Sequence, residues 1–572
     1  MKYMKEILLK NKILVIIYII IGIVSAFLTN YKIGYLQKVI NGLTDNNLKL
    51  GNIIIYGVIL VSYYMVNYID EYPGKKLQNG IFLDFKLLSL KKISKIDYLE
   101  YQSLGTGKLT QRIENGSEAG KSIIYDFGLC VLRQLIPNIS FSVLFIWKIN
   151  KNITHAILIG YIVIFIITNV LLKILYKLKE KILCNEEKMN HFLVRGFMEM
   201  VVFRLENRFP SEIKKVSKAQ REIVNSKVKM NIIHEAFFTI FALLVAFLDV
   251  GVLLYAWNSK TISVGGAVAL ISLIDNAYTP IAIFNVLFVQ YKLDKSTFKR
   301  FQEFLEMKDD FQLNEGNLMM DCSGDIEIKK LSFAYKNRTI FKEFDLTITY
   351  GEKVAFVGSS GSGKTTLIKL ILGLLKYDNG SIKINGQEVS ELCLNSLYEN
   401  ISYISQDSPV FDGTIRENIV FDEKISDSNL NEALKKVQLF EITNNMKDGI
   451  ETMIGERGTI LSGGEKQRLA LTRLWFHENN IVILDEATSA MDNITQELVT
   501  DEVINLLKDK TVLAISHRLN SIKEFDRIIV FNQGKIVGQG TFAELMKSNS
   551  YFINLYNGSV LNCDIEDTGG ID

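Results

Sequence analysis

Six apolar runs recur in the first half of the chain, at 13–27, 53–68, 127–147, 157–172, 237–257 and 264–291, and none follows. A hydrocarbon core takes about 20 helical residues to cross, so these runs point to a bundle of membrane-spanning helices. The first run has no A-x-A-like cleavage site and more runs follow it, so it reads as a retained helix and not as a signal peptide. Composition agrees: 48% of residues are hydrophobic and 22% charged, with mean hydropathy +0.16. That excludes a disordered chain and disfavours a purely soluble enzyme. Five prolines in 572 residues favour long uninterrupted helices.

The connections carry topology. Those after the first, third and fifth runs are short, whereas those after the second and fourth are about 55 to 65 residues long and rich in Lys and Arg. Lys75, Lys76, Lys86, Lys91, Lys92, Lys95, Lys108, Arg112 and Lys121 mark the first, and the second is basic from Lys173 through Lys229. The positive-inside tendency places both, with the Lys-bearing N-terminus, in the cytoplasm. Phe82, Phe85, Leu88 and Ile93 recur at helical spacing, which predicts that the spans continue beyond the bilayer. Gly105-Thr106-Gly107 and Asn115-Gly116 are expected to be turns.

Charge inside a span costs about 2.5–3.5 kcal/mol unless it faces water or a partner, which singles out Arg133, Asp249 and Asp275. Either they line a hydrophilic cavity for a polar or cationic cargo, or Arg133 snorkels and the aspartates pair locally. The formal net charge of +2 leaves no basic excess for a nucleic acid. Cys130, Cys184, Cys322, Cys393 and Cys563 stand singly, without disulfide or zinc spacing.

A charged, Gly-containing stretch at 307–324 separates this half, 1–306, from alternating short strands and helices at 325–558, the pattern of one α/β domain. The acidic tail 559–572 is expected to be disordered. Within the α/β part, the β-rich run Val354-Ala355-Phe356-Val357 enters Gly358-Ser359-Ser360-Gly361-Ser362-Gly363-Lys364-Thr365-Thr366, and a helical pattern follows. This is G-x-x-x-x-G-K-[ST] in its strand-to-helix context: loop amides and the helix N-terminus can wrap phosphates, Lys364 can reach the β- and γ-phosphates, and Thr365 can ligate Mg²⁺. Further on, Ile481-Val482-Ile483-Leu484 ends in Asp485-Glu486. Asp485 is suited to hold Mg²⁺ through water, and Glu486 to polarise a water for in-line attack.

Leu461-Ser462-Gly463-Gly464-Glu465 then turns into a helix, and it resembles the signature sequence of ATP-binding cassette proteins. Other family marks stand in order. Tyr335 resembles the aromatic that stacks on adenine, Gln406 the Q-loop glutamine that senses Mg²⁺, Asp492 the D-loop aspartate behind Met491, and His517 the switch histidine. Thr452 to Gly458 is similar to a segment that exporters carry at the membrane-domain contact, and Gly105 to Leu109 resembles the family's first cytosolic extension. Departures are Glu465 where glutamine is commoner and Leu474-Trp475-Phe476 in place of smaller residues; neither removes a catalytic group.

The resemblance covers nearly the whole chain and implies a half-transporter: an all-α six-helix transmembrane domain of the type IV exporter fold, followed by an α/β P-loop nucleotide-binding domain. It implies ATP and Mg²⁺ as cofactors and coupling helices that dock the cytosolic extensions on the cassettes. It also implies a dimer in which each ATP lies between the phosphate loop of one copy and the signature of the other. A homodimer is simplest, and a heterodimer stays open. ATP-driven alternating access in a cell membrane, with the N-terminus and the cassette cytoplasmic, is the expected activity. With no peptidase domain ahead of the first run, leader-peptide cleavage is not expected, and peptides, lipids and amphipathic drugs are candidate cargo. An exporter-fold importer of a metal chelate and a soluble cassette ATPase are the alternatives, the second opposed by the six runs. The Ile-, Lys- and Asn-rich usage suggests a bacterial source.

Overall fold

The computed structural model describes residues 2–557 except 105, 199, 260, 320–321, 337, 422–424, 456–457 and 517–518. The expected disordered tail therefore lies outside the described residues. The chain forms two compact units, Met1–Ile96 with Glu100–Lys308, and Asp97–Leu99 with Asp309–Asp572.

The first unit is helical. Five of its helical segments, Lys12–Thr44, Leu50–Ile93, Leu109–Ile149, Phe209–Ser259 and Val264–Leu305, are long and apolar enough to cross a membrane among the described residues. The run at 157–172 falls within the helix Lys151–Met198, where many side chains lie outside the described set. A 51-residue helix such as Phe209–Ser259 is about 75 Å long at 1.5 Å per residue, far more than the hydrocarbon core of about 30 Å. Its apolar run is only part of it, as the helical spacing of the basic segments predicts. The protein itself buries few of the apolar side chains. In the second span only 6% of the most apolar stretch is covered, and Val61, Phe247 and Leu254 are exposed. Such a surface needs lipid against it.

Asn115-Gly116 is not a turn. It lies inside the helix Thr106–Lys121, and its glycine serves packing: a Cβ on Gly116 would sit 2.3 Å from Cγ of Phe301, and one on Gly120 2.4 Å from Cε2 of Phe85. The two glycines open a flat strip into which Phe85 and Phe301 press, with Phe298 edge-on to both. Leu77, Ile81 and Phe304 complete this core. Beyond Lys121 the helix widens into π-helical turns at Ser122–Leu129 and Val131–Leu135 before resuming as Ile136–Ile149. Gly105 lies outside the described residues.

Among its described residues the second unit forms ten strands: β1 Ile326–Tyr335, β2 Arg338–Ile348, β3 Lys353–Gly358, β4 Asn379–Ile384, β5 Gln387–Glu388, β6 Ile401–Ile404, β7 Ile481–Asp485, β8 Thr511–Ile515, β9 Arg527–Asn532 and β10 Lys535–Gly540. They form an antiparallel sheet β2-β1-β4-β5 and a six-stranded sheet β10-β9-β3-β8-β7-β6, in which β10 alone runs antiparallel. Val354, Ala355, Phe356 and Val357 of β3 are all buried, because apolar layers cover both faces of a central parallel strand. One layer gathers Phe356, Leu367, Ile371 and Phe531, and the other Ala355, Leu469, Val499 and Val530. Tyr98 belongs to this unit: its ring packs against the first layer, and Nζ of Lys369 lies 5.6 Å from its centroid.

Candidate functional site

Four parallel strands finish at the same edge of the six-stranded sheet. The register pairs Phe356 with Ile515, Asp485 with Ile515, and Ile404 with Leu484. The chain that leaves β3, β8, β7 and β6 therefore emerges side by side. It carries the loop from Gly358 to Thr366, Ser516, Glu486 and Gln406 respectively, which is the carboxyl-terminal edge where open α/β sheets take their ligands. His517 belongs to the same set by sequence but lies outside the described residues.

The loop after β3 is shaped by two close approaches. Gly358 has φ +146, and a Cβ there would stand 2.2 Å from the carbonyl oxygen of Phe531; Gly363 has φ +110 and lies against Phe341. Neither site admits a side chain, so the backbone curls tightly into the helix Lys364–Ile371. Lys364 is buried and folds back over the loop, its ammonium donating to the carbonyls of Gly358 at 2.8 Å and Ser359 at 3.1 Å and to Oγ of Ser362 at 3.4 Å. Burial holds its pKa below the ordinary value, with Glu486 and Asp485 opposing. A buried cation satisfied mostly by carbonyl oxygens is well placed to take an anion inside the loop. Ser359, Ser360 and Gly361 are exposed at its rim, and Thr365 and Thr366 are half-buried on the helix. Tyr335 ends β1, its ring edge-on to Phe333.

Two carboxylates face this loop. Asp485 is 2% exposed. Its Oδ2 accepts from the Tyr403 hydroxyl at 3.4 Å, and its Oδ1 is buried without a hydrogen-bond partner. Burial first, and then the neighbouring Glu486, push its pKa above the usual carboxylate range. Glu486 has φ +52, strained for a residue with a side chain, and its backbone N–H donates to Ile515 at 3.1 Å. Its Oε2 accepts from Nε2 of Gln406 at 2.9 Å. The orphaned oxygen of Asp485 fits an oxygen-liganded divalent cation. Among the described residues no three acidic, His or Cys side chains form a metal cage, so such an ion would also use Thr365, Gln406 and phosphate oxygens, as Mg²⁺ commonly does.

The turn at Leu461-Ser462-Gly463-Gly464-Glu465 starts the helix Gly463–Thr472 with a capping box. Oγ of Ser462 accepts from the Glu465 N–H, and the Glu465 carboxylate accepts from the Ser462 N–H. Glu465 thus closes the helix start. A Cβ on Gly464 would stand 2.9 Å from the carbonyl oxygen of Ala490, so the signature turn lies directly on the segment after Glu486. The buried Gln467, two residues past the signature turn and given no role from sequence, locks the two together. Its Nε2 donates to Oγ of Ser489 at 3.1 Å and to the Glu486 carbonyl at 3.4 Å, and its Oε1 accepts from the Ala490 N–H at 2.8 Å. Asp492 caps the helix Asn493–Leu506 by accepting from the Thr495 N–H at 2.9 Å, which holds its carboxyl below the ordinary range.

The charged candidates of the membrane unit separate. Arg133 sits in the second π-helical stretch, ion-paired with Asp70. It donates to the Tyr18 hydroxyl at 2.8 Å and lies 4.1 Å over the Tyr18 ring, and that hydroxyl contacts the Tyr125 hydroxyl at 3.0 Å. Asp70 lies two residues past the second apolar run, outside the window in which span charges stood out. Asp249 and Asp275 are electrostatic neighbours on adjacent helices, and Oδ1 of Asp249 is buried without a hydrogen-bond partner.

Comparison with known proteins follows the same division. Residues 341–489 match the family described as ABC transporter. Over 299 residues the chain is 36% identical to an uncharacterized ABC transporter ATP-binding protein of Bacillus subtilis, a match covering 52% of this chain and 52% of that protein. Over 571 residues it is 28% identical to a mitochondrial iron-sulfur clusters transporter of Debaryomyces hansenii, covering 91% of this chain and 78% of that one. A bacterial Atm1-family ABC exporter, solved with ATP bound, superposes with TM-score 0.81 at 20% identity over 96% of this chain and 98% of that chain. A multi-pass helical unit followed by a cassette with the phosphate loop and signature described above therefore gives this chain an ABC transporter ATP-binding domain at residues 341–489 and the fold of an ABC exporter, with ATPase-coupled transport supported by relatives that align over most of its length.

Proposed function

We propose that two copies of this chain form an exporter that moves a peptide, lipid or amphipathic drug-like molecule across the cell membrane by alternating access, with the cassettes and the N-terminus on the cytoplasmic side. The observation that carries the reading is the meeting of Lys364, Asp485, Glu486 and Gln406 at one sheet edge, beside a signature turn tied to the same loop through Gln467.

In this reading the amides from Ser359 to Thr366 and the Lys364 ammonium hold the β- and γ-phosphates of ATP, and Tyr335 supports the adenine. Thr365, Gln406 and Asp485 would hold Mg²⁺, which when bound neutralises charge on the phosphoryl oxygens. Glu486 orients and polarises the attacking water and takes its proton, and its strained backbone aims the carboxylate out of β7 toward the loop. His517 contacts the γ-phosphate end. Leu461, Ser462, Gly463, Gly464 and Glu465 complete the site of a second copy, because the signature serves the nucleotide held by the opposite loop. Closure of the cassettes around two nucleotides then drives the helices, and hydrolysis resets them.

The Debaryomyces relative is named for iron-sulfur clusters, so the cargo of this chain is tested directly. Purified protein in lipid vesicles is assayed for ATPase stimulation by panels of peptides, lipids and amphipathic drugs. ATP-dependent accumulation of the stimulating compound in vesicles whose cassettes face outward supports export. Accumulation only in the opposite orientation refutes it in favour of uptake, and a monomer under ATP-trapping conditions refutes the shared site.

A further inference from the structure

The carboxylate of Asp485 is held at one oxygen and open at the other. Oδ2 accepts from the Tyr403 hydroxyl at 3.4 Å, whereas Oδ1 is buried without a hydrogen-bond partner. Strand geometry explains why these two side chains meet. β6 runs parallel to β7 with Tyr403 beside Ile483. Side chains alternate between the faces of a strand, so Asp485, two positions past Ile483, lies on the face that Tyr403 shares and one step nearer the phosphate loop. A tyrosine is long enough to cover that step, and its phenol carries a proton near neutral pH.

Tyr403 is half-buried against the apolar layer that contains Leu367 and Ile483. Tyr98 packs against the same layer and lies within electrostatic range of Tyr403. Its ring also faces the Lys369 ammonium, 5.6 Å from the centroid, and Lys369 is a cation whose charge acts on Asp485. Tyr98 therefore neighbours both the hydroxyl that holds Oδ2 and a cation able to compete for the carboxylate. It belongs to Asp97–Leu99, a segment grouped with the second unit although the chain up to Ile96 and from Glu100 belongs to the first.

We propose that Tyr403 is a positioning residue for the divalent cation of the nucleotide site, and that it acts only while Tyr98 is seated beside it. The inference rests on the reading of Asp485 as a ligand of Mg²⁺. With Oδ2 fixed by the phenol, the carboxylate is kept from turning and presents Oδ1 to the metal in one orientation. Partners one shell out from a metal contribute about 10–100-fold to its affinity. Loss of the Tyr98 ring has two consequences. The Tyr403 hydroxyl gains room to leave Oδ2, and the Lys369 ammonium, no longer held over an aromatic face, is drawn to the carboxylate in place of the metal. Retention of the cation is thus conditional on a three-residue segment from the first half of the chain.

The test uses full-length protein in nanodiscs of zwitterionic lipid with a non-hydrolysable ATP analogue, so that binding is read without turnover. Affinity for the analogue is measured in EDTA and at rising Mg²⁺. Tyr403→Phe removes only the hydroxyl. It should leave affinity in EDTA unchanged and raise the Mg²⁺ concentration for the half-maximal gain by about tenfold, the lower end for an outer-shell partner. Tyr98→Ala should raise that midpoint to a similar degree, whereas Tyr98→Phe, which keeps the ring, should not. In a Lys369→Gln background Tyr98→Ala should cost several-fold less. An unchanged Mg²⁺ midpoint in Tyr403→Phe or in Tyr98→Ala, or a loss that appears equally in EDTA, overturns the proposal. Asp485→Asn tells the two readings apart. A wild-type Mg²⁺ response in that variant removes Asp485 as a ligand, whereas a lost response beside an unaffected Tyr403→Phe refutes the positioning role alone.

Discussion

The Gln406 amide donates to the Glu486 carboxylate across 2.9 Å, joining the ends of β6 and β7 at the sheet edge that also carries the phosphate loop. A side chain expected to sense the metal thus holds the side chain expected to prepare the water. Glu486→Gln keeps the size and loses the base. Its ATPase rate should fall by at least about 100-fold, the usual contribution of a general base, while ATP is retained and the dimer stays closed on gel filtration. Hydrolysis near the wild-type rate would remove Glu486 from its role.

Lys364 is held by oxygens of its own loop, so its loss removes the positive charge at the loop's centre without opening the core. Lys364→Ala should weaken ATP binding by at least about tenfold, since charge-assisted bonds of this kind contribute about 1.5–3 kcal/mol. The stabilisation of the protein by ATP in a thermal melt should largely vanish. An undiminished melting shift would show that the phosphates sit elsewhere.

Asp485 gives a pH signature of defined sign. Its native pKa lies above the ordinary carboxylate value because burial and Glu486 disfavour its charge. The native state therefore binds more protons than the unfolded chain in the window from the ordinary value up to the raised one, and stability falls as pH rises through it. Asp485→Asn should flatten that fall in denaturant titrations of nucleotide-free protein and make it more stable near neutral pH. It should also abolish the effect of Mg²⁺ on ATP binding. An unchanged pH slope would contradict the burial argument.

In the membrane unit the Arg133–Asp70 pair is largely enclosed. Removing one partner from such a pair leaves the other charge uncompensated, at about 3–5 kcal/mol, whereas replacing both with apolar residues is often neutral. Arg133→Met and Asp70→Leu singly should lower thermal stability in nanodiscs, and the double change should recover most of it. Additive losses would mean that the two charges act independently.

Gly116 and Gly120 offer a packing test. Gly116→Leu drives its side chain into Phe301, and overpacking of this kind costs about 1–3 kcal/mol. A lowered melting temperature is expected, with partial recovery on adding Phe301→Ala. Wild-type stability of the single variant would contradict the close approach.

Much of this was readable beforehand because its physics is local. Apolar runs report on the solvent around a helix, and the Gly358–Lys364 loop carries its own backbone requirement in its glycines. The signature turn was legible for the same reason, since Ser462 and Glu465 meet within one turn. What stayed hidden depends on distant partners. Asn115-Gly116 has the composition of a turn yet lies within a helix, where Phe301, far along the chain, fills the glycine notch. Arg133 was visible as a misplaced charge, but its partner Asp70 lies on another helix, and no spacing rule pairs them. Gln467 follows the signature turn by two residues and carries no signal of its own. That its amide reaches Ser489, Ala490 and the Glu486 carbonyl depends on how the helix Gly463–Thr472 lies beside β7.

That last arrangement bears on timing. In the two-copy assembly proposed above, each Gln467 would tie the turn assigned to the neighbour's nucleotide to the loop assigned to water at its own. On that proposal neither copy relaxes one of these without disturbing the other, and the two burnings of fuel become beats of a single rhythm.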